Sequence, residues 1–216
     1  MKLQITSDML RHDILEMQSA LSNNPSNEIS YAIEGYTLAL TMLSHFPIFN
    51  SDKLNTLTLA DVIGSYIGFT EKDKIYETIQ RWYYGSFVKG AWCATGLSWA
   101  LSKMGLLVNT CSHKYENVYL MYNGFLEAGT REISSIQTAT RGDVIFFKWE
   151  DDFGISTRKH VAVFTGKTSE DYVYVVGCNQ NNSICVKSYN KKSIVAIFRP
   201  DYTKSTLKSL EDLTIV

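Results

Sequence analysis

Residues Arg141–Pro200 read RGDVIFFKWEDDFGISTRKHVAVFTGKTSEDYVYVVGCNQNNSICVKSYNKKSIVAIFRP. Five segments within it, Asp143–Trp149, Val161–Thr165, Tyr172–Val176, Ile184–Tyr189 and Ile194–Arg199, are rich in β-branched and aromatic residues. Such side chains suit a pleated, half-buried surface, so each segment is predicted to be a strand. Short polar turns separate the last four, which predicts an antiparallel meander.

Upstream the period changes. Cys93, Leu97, Leu101 and Met104 line one helical face, with Gly105 where a C-cap glycine belongs. Tyr115–Glu127 reads as another helix, burying Val118, Met121, Tyr122 and Phe125. Thr58 with Asp61 and Thr70 with Asp73 pair a capping hydroxyl with a first-turn acid, predicting helices over Leu59–Ile67 and Glu71–Tyr83. Two further apolar faces, Leu10–Leu21 and Ile29–Leu43, are separated by a break containing Pro25. Helices first and strands second is an α+β pattern and excludes a βαβ nucleotide-binding fold. The expected organisation is a helical region over 1–80, a body over 81–200 and a polar tail over 201–216.

Composition narrows the class. With 216 residues, 45% hydrophobic and 20% charged, the chain is an ordinary globular one. A net charge of −1 gives no pull towards nucleic acid or an anionic membrane. No stretch reaches the ~20 apolar residues of a spanning helix, and Met1–Leu10 lacks a signal-peptide core. Synthesis in the cytoplasm without a Sec signal is expected.

The four cysteines, Cys93, Cys111, Cys178 and Cys185, form no CxxC pair. Three are expected to be packed thiols. Cys93 differs, because Gly90-Ala91-Trp92-Cys93-Ala94-Thr95-Gly96 turns a loop into an apolar helix. The unpaired N–H groups and dipole at such a terminus favour a thiolate and can hold an oxyanion. His160 precedes the strand Val161–Thr165, so the ladder can aim its ring. Asn179, at the end of the next strand, is expected across the ladder from His160, where an amide acceptor would fix the imidazole tautomer. His12, His45 and His113 have no evident orienting partner and are assigned structural or surface roles.

The stretches WCATGLSWALSKMG, RGDVIFF, KHVAVFTG, VVGCNQNNSICVKSY and AIFRP, in this order, resemble the CHAP/NlpC-type peptidoglycan hydrolases, most closely those of phage endolysins and antibacterial effectors. The resemblance covers Trp82–Pro200. It implies a papain-like fold, with the nucleophile-bearing helix packed on a roughly five-stranded antiparallel sheet. It further implies catalytic Cys93, His160 and Asn179, with Trp92 in substrate binding and no metal or other cofactor. His160 would take the Cys93 proton, giving a thiolate–imidazolium pair that attacks an amide carbonyl of the peptidoglycan stem peptide. Cys178 interrupts the family's Gly-Asn step, which leaves the third residue open by one or two positions. Delivery to the wall would be by holin-type release or dedicated secretion, with an immunity or inhibitor protein as partner if the chain is an effector. A papain-like effector acting on a protein substrate would carry the same residues. A non-enzymatic interaction module, a zinc site from Cys93, His160, Cys178 and Cys185, and a Cys178–Cys185 pairing across a hairpin are the remaining alternatives.

Overall fold

A computed structural model describes residues 56–150 and 156–213. The chain divides into two units, Met1–Asn55 and Thr56–Val216, and every described residue belongs to the second. The helices predicted from Leu10–Leu21 and Ile29–Leu43 lie outside the described residues. The unit boundary falls at Asn55, not after residue 80, because Leu59, Val62, Ile75 and Ile79 join the same core as Trp92 and Leu97.

Five helices are described: α1 (Leu59–Gly64), α2 (Lys74–Tyr84), α3 (Cys93–Lys103), α4 (Leu107–Cys111) and α5 (Val118–Glu127). Thr58 and Asp61 form the expected capping box at α1. The Asp73 carboxylate accepts from Thr70 N–H and Oγ1, but this closes the turn before α2, which begins at Lys74. Gly105 takes the left-handed conformation expected of a helix stop, φ +70°.

Six strands follow: β1 (Arg131–Glu132), β2 (Val144–Glu150), β3 (Ser156–Thr168), β4 (Tyr172–Gln180), β5 (Ser183–Asn190) and β6 (Ile194–Arg199). They form one antiparallel sheet in the order β1-β6-β2-β3-β4-β5. The predicted meander therefore ends at β5, and β6 crosses to the far side of β2. Burial explains the crossing. β6 buries Ala196 and Phe198 against the helices and Ile197 on the other face, so it needs an inner position. β5 alternates half-buried and exposed residues over Val186–Asn190 and suits the edge.

Alternation along the inner strands makes two layers. Val144, Phe146, Val161, Val163 and Val176 face the helices, while Ile145, Phe147, Ala162, Phe164 and Val175 form a second cluster on the opposite face. Helix α3 is buried from Cys93 to Leu101, packed on β3 and β4 and flanked by α1 and α2. It approaches β4 so closely that a Cβ on Gly96 would lie 2.4 Å from Sγ and 2.7 Å from Cβ of Cys178.

Asp143 is buried and structural. It accepts from the Thr140 N–H and from Nε and Nη2 of Arg199, each at 2.8 Å, locking the entry of β2 to the end of β6. The segment after Pro200 is attached rather than a free tail: the Tyr202 hydroxyl donates to Gly142 O at 2.6 Å and accepts from Leu59 N–H at 3.3 Å. Among the described residues, no helix is long and apolar enough to cross a membrane.

Gly96→Ala gains about 1 kcal/mol of helix propensity, but forcing a methyl against Cys178 costs more, about 1–3 kcal/mol net of relaxation. Urea unfolding should show a net loss of stability. Adding Cys178→Ala should recover part of it, since that change removes the sulfur and leaves the Cβ.

Candidate active site

Trp92 caps α3, and the first closed helical bond runs from Gly96 N–H to Trp92 O at 2.9 Å. The N–H groups of Cys93, Ala94 and Thr95 thus precede the helical ladder. The loop leading in is held from α2. The Tyr76 hydroxyl donates to Gly90 O (3.2 Å) and accepts from Gly90 N–H (2.9 Å), while Gln80 Nε2 donates to the same carbonyl (3.3 Å). This clamp fixes the chain three residues before the cysteine.

Cys93 is 6% exposed. Burial raises its thiol pKa, and the backbone N–H groups of Val161, Ala94 and Cys93 itself, directed at the sulfur, pull the other way. Val161 N–H belongs to the peptide bond that follows His160, so the sulfur rests on the backbone that carries the imidazole. Pairing of β3 with β4 runs from Val163↔Val176 towards the hairpin turn and does not extend to Val161. The helix terminus meets β3 where that pairing stops. Among the described residues, no hydrogen bond joins the Cys93 sulfur to the imidazole.

β3 starts at Ser156, so His160 lies within the strand rather than at its opening. Its ring leaves on the side of the second cluster, stacked with Tyr189 (centroids 5.4 Å apart, 30°) and, at 6.4 Å, with Phe147. Burial lowers its pKa to about 4; the side chain of Gln180 opposes this, and the charge of Lys187 adds to the lowering.

The third residue is one position from the expected one. Counting back from Val163↔Val176, an unbroken ladder would set His160 opposite Asn179. However, β4 carries an extra residue: Gly177↔Cys185 and Gln180↔Ser183 enclose two residues on β4 and one on β5. Asn179 absorbs this bulge with φ +58° and stays half-buried. Gln180 is buried instead, and its Nε2 donates to the carbonyls of Cys185 (2.5 Å) and Gly177 (3.4 Å). With the amide nitrogen committed, Oε1 is left to face the imidazole. Oε1 of Gln180 and Nε2 of His160 are both buried and neither makes a fully formed hydrogen bond, yet their interaction favours the protonated ring. Gln180, not Asn179, is therefore the buried amide that acts on the imidazole.

Trp92 is fully buried, 5.2 Å from the ring of Tyr76, and belongs to the core, not to a substrate surface. Phe87 and Val88, on the loop that precedes α3, are exposed, and Phe87 lies edge-on to Tyr76. All four cysteines are free thiols. Cys178 packs under α3 on the helix side. Cys185 pairs with Gly177, whose Cβ position lies against Ala162 in the opposite layer, so the hairpin pairing is overturned. Among the described residues, no group of three His, Cys, Asp or Glu side chains is placed to hold a metal ion. His113 lies beside Tyr115, ring centroids 4.1 Å apart, away from this constellation.

No family model, curated protein or solved structure matches this chain.

The depressed imidazole has a measurable consequence. The folded state resists protonation from the ordinary value of 6.5 down to about 4, whereas the unfolded chain takes the proton at 6.5. Stability should be full above pH 6.5 and fall as pH drops towards about 4, by roughly 3 kcal/mol in total. Urea unfolding across that window should show this slope in the wild type and a flatter one in His160→Gln.

Proposed function

We propose that this chain is a papain-like cysteine hydrolase in which Cys93 is the nucleophile, His160 the general base and Gln180 the group that orients the base. One observation carries the reading. A cysteine heads a buried helix with its sulfur on the backbone N–H that follows a buried histidine, whose ring meets a carboxamide held by two carbonyls. The reading assigns these three groups the roles of nucleophile, base and orienting group.

The resting pair is neutral. Burial raises the Cys93 thiol and lowers the His160 imidazole, so both act against a preformed thiolate–imidazolium pair. Proton transfer therefore accompanies attack on the carbonyl instead of preceding it. The Cys93 N–H lies beside the sulfur and is suited to receive the oxyanion; one such donor contributes about 2.7–4 kcal/mol. The imidazolium then protonates the leaving amine, and water resolves the thioester. In this proposal Gln180 Oε1 accepts from the ring once the substrate is bound and so selects one tautomer.

The substrate in this proposal is an amide bond of peptidoglycan, either within the stem peptide or between glycan and peptide. The support is the ordered set of sequence stretches from Trp82 to Pro200. Purified sacculi from several wall chemotypes should release muropeptides with the wild type, read by mass spectrometry. Cys93→Ala should abolish release, and His160→Ala should reduce it about 10²- to 10⁴-fold. Gln180→Ala should cost about tenfold or more, whereas Asn179→Ala should leave release close to wild type. Turnover retained in Cys93→Ala, or a larger loss for Asn179 than for Gln180, is the outcome that rejects this assignment.

A further inference from the structure

Strand β5 brings a second charged group to the imidazole. In its register with β4, Tyr189 opposes Val173 and Lys187 opposes Val175, and both of those valines belong to the cluster on the His160 side of the sheet. The two β5 side chains therefore leave on that same side. Tyr189 stacks on the His160 ring and on Phe147, at 5.4 Å and 4.7 Å. Nζ of Lys187 lies 5.5 Å from the centroid of the Tyr189 ring and donates to Oδ1 of Asn181 at 3.1 Å. Asn181 sits in the two-residue turn between β4 and β5, with φ +56°. The hairpin end thus holds the ammonium beside the aromatic wall of the site.

Among the described residues, no carboxylate pairs with Lys187. Among the described residues, Cys93 on α3 and Cys185 on β5 act on Tyr189, and Cys178 on β4 interacts with Cys93. Burial raises the pKa of Cys93, Cys178 and Tyr189, the last to about 12, so these three supply no negative charge at neutral pH. An uncompensated cation next to a general base opposes protonation of that base. A substrate that brought an anion to the cation would remove the opposition as it bound.

We propose that Lys187, held by Asn181 over the Tyr189 ring, binds a carboxylate of the substrate on the His160 side of the site. The inference rests on the hydrolase reading and narrows its substrate class. A stem peptide whose glutamate keeps its free α-carboxylate is recognised, and the amidated form is discriminated against. Binding of the carboxylate neutralises the ammonium and makes His160 a better base.

The test uses two probes, N-acetylmuramyl-L-alanyl-D-glutamate and its D-isoglutamine amide, with full-length protein. Binding is measured by titration, and the His160 ring is followed by NMR, its signal assigned with His160→Gln. The acid probe should bind about tenfold or more tightly than the amide, as expected for a hydrogen bond to a charged group, and should raise the His160 pKa. Lys187→Met should bring the two affinities together and abolish the rise, while Lys187→Arg should retain the discrimination. Absence of acid-probe binding, or an acid-to-amide ratio unchanged in Lys187→Met, overturns the proposal. These readings do not require cleavage. Equal hydrolysis of acid and amide stem peptides by the wild type would reject the carboxylate site and leave the hydrolase reading standing. Lys187-dependent binding without any muropeptide release would do the reverse.

Discussion

The arrangement depends on how closely α3 lies on β4. Gly96 is three residues into the helix from Cys93 and presents no side chain to the sheet, so the helix backbone settles directly onto Cys178. Interiors pack to near-crystalline density, and a helix held by such a contact cannot shift without disturbing its neighbours. Its first residue is then fixed in height above β3, which places the sulfur on the Val161 N–H. The clamp of Tyr76 and Gln80 on Gly90 works towards the same end from the other direction. One small residue and one buried pair of polar side chains position Cys93 at the start of α3.

Burial dominates the electrostatics of the site. The helix terminus and three N–H groups favour a thiolate, but removal from water outweighs them. The imidazole is likewise driven towards its neutral form despite the Gln180 acceptor. Such a site stores little charge at rest and relies on what enters it to change the balance. The aromatic contacts of His160 with Phe147 and Tyr189 belong to the same design, since they hold the ring still while excluding solvent.

Strand identity was readable because inner strands need apolar, β-branched residues on both faces; Ile194–Arg199 was bounded to the residue. Cys93 and His160 were readable because a cysteine entering a helix and a histidine beside an apolar strand are local patterns. What failed was non-local. The partner of β6 is decided by which edge needs two-sided cover, and β1, two residues long, has no pattern to detect. The short helix Leu107–Cys111 has too few residues for a period to emerge. Trp92 looked like a surface aromatic only because its burial depends on α2 folding over it. The Asn179/Gln180 exchange turns on one inserted residue, and its only trace was an asparagine-rich end to β4, the residue type that best tolerates positive φ.

The Tyr202 hydroxyl closes a ring of contacts between the start of this unit, at Leu59, and the turn into β2, at Gly142. The two ends of the unit are therefore partners, and neither is an extension that can be trimmed. A fragment cut to the stretch of family resemblance, Trp82–Pro200, would lose α1, most of α2 and this clasp, exposing the apolar back of α3 to water. The smallest piece that keeps this clasp and the core under α3 runs from Thr56 to at least Leu213.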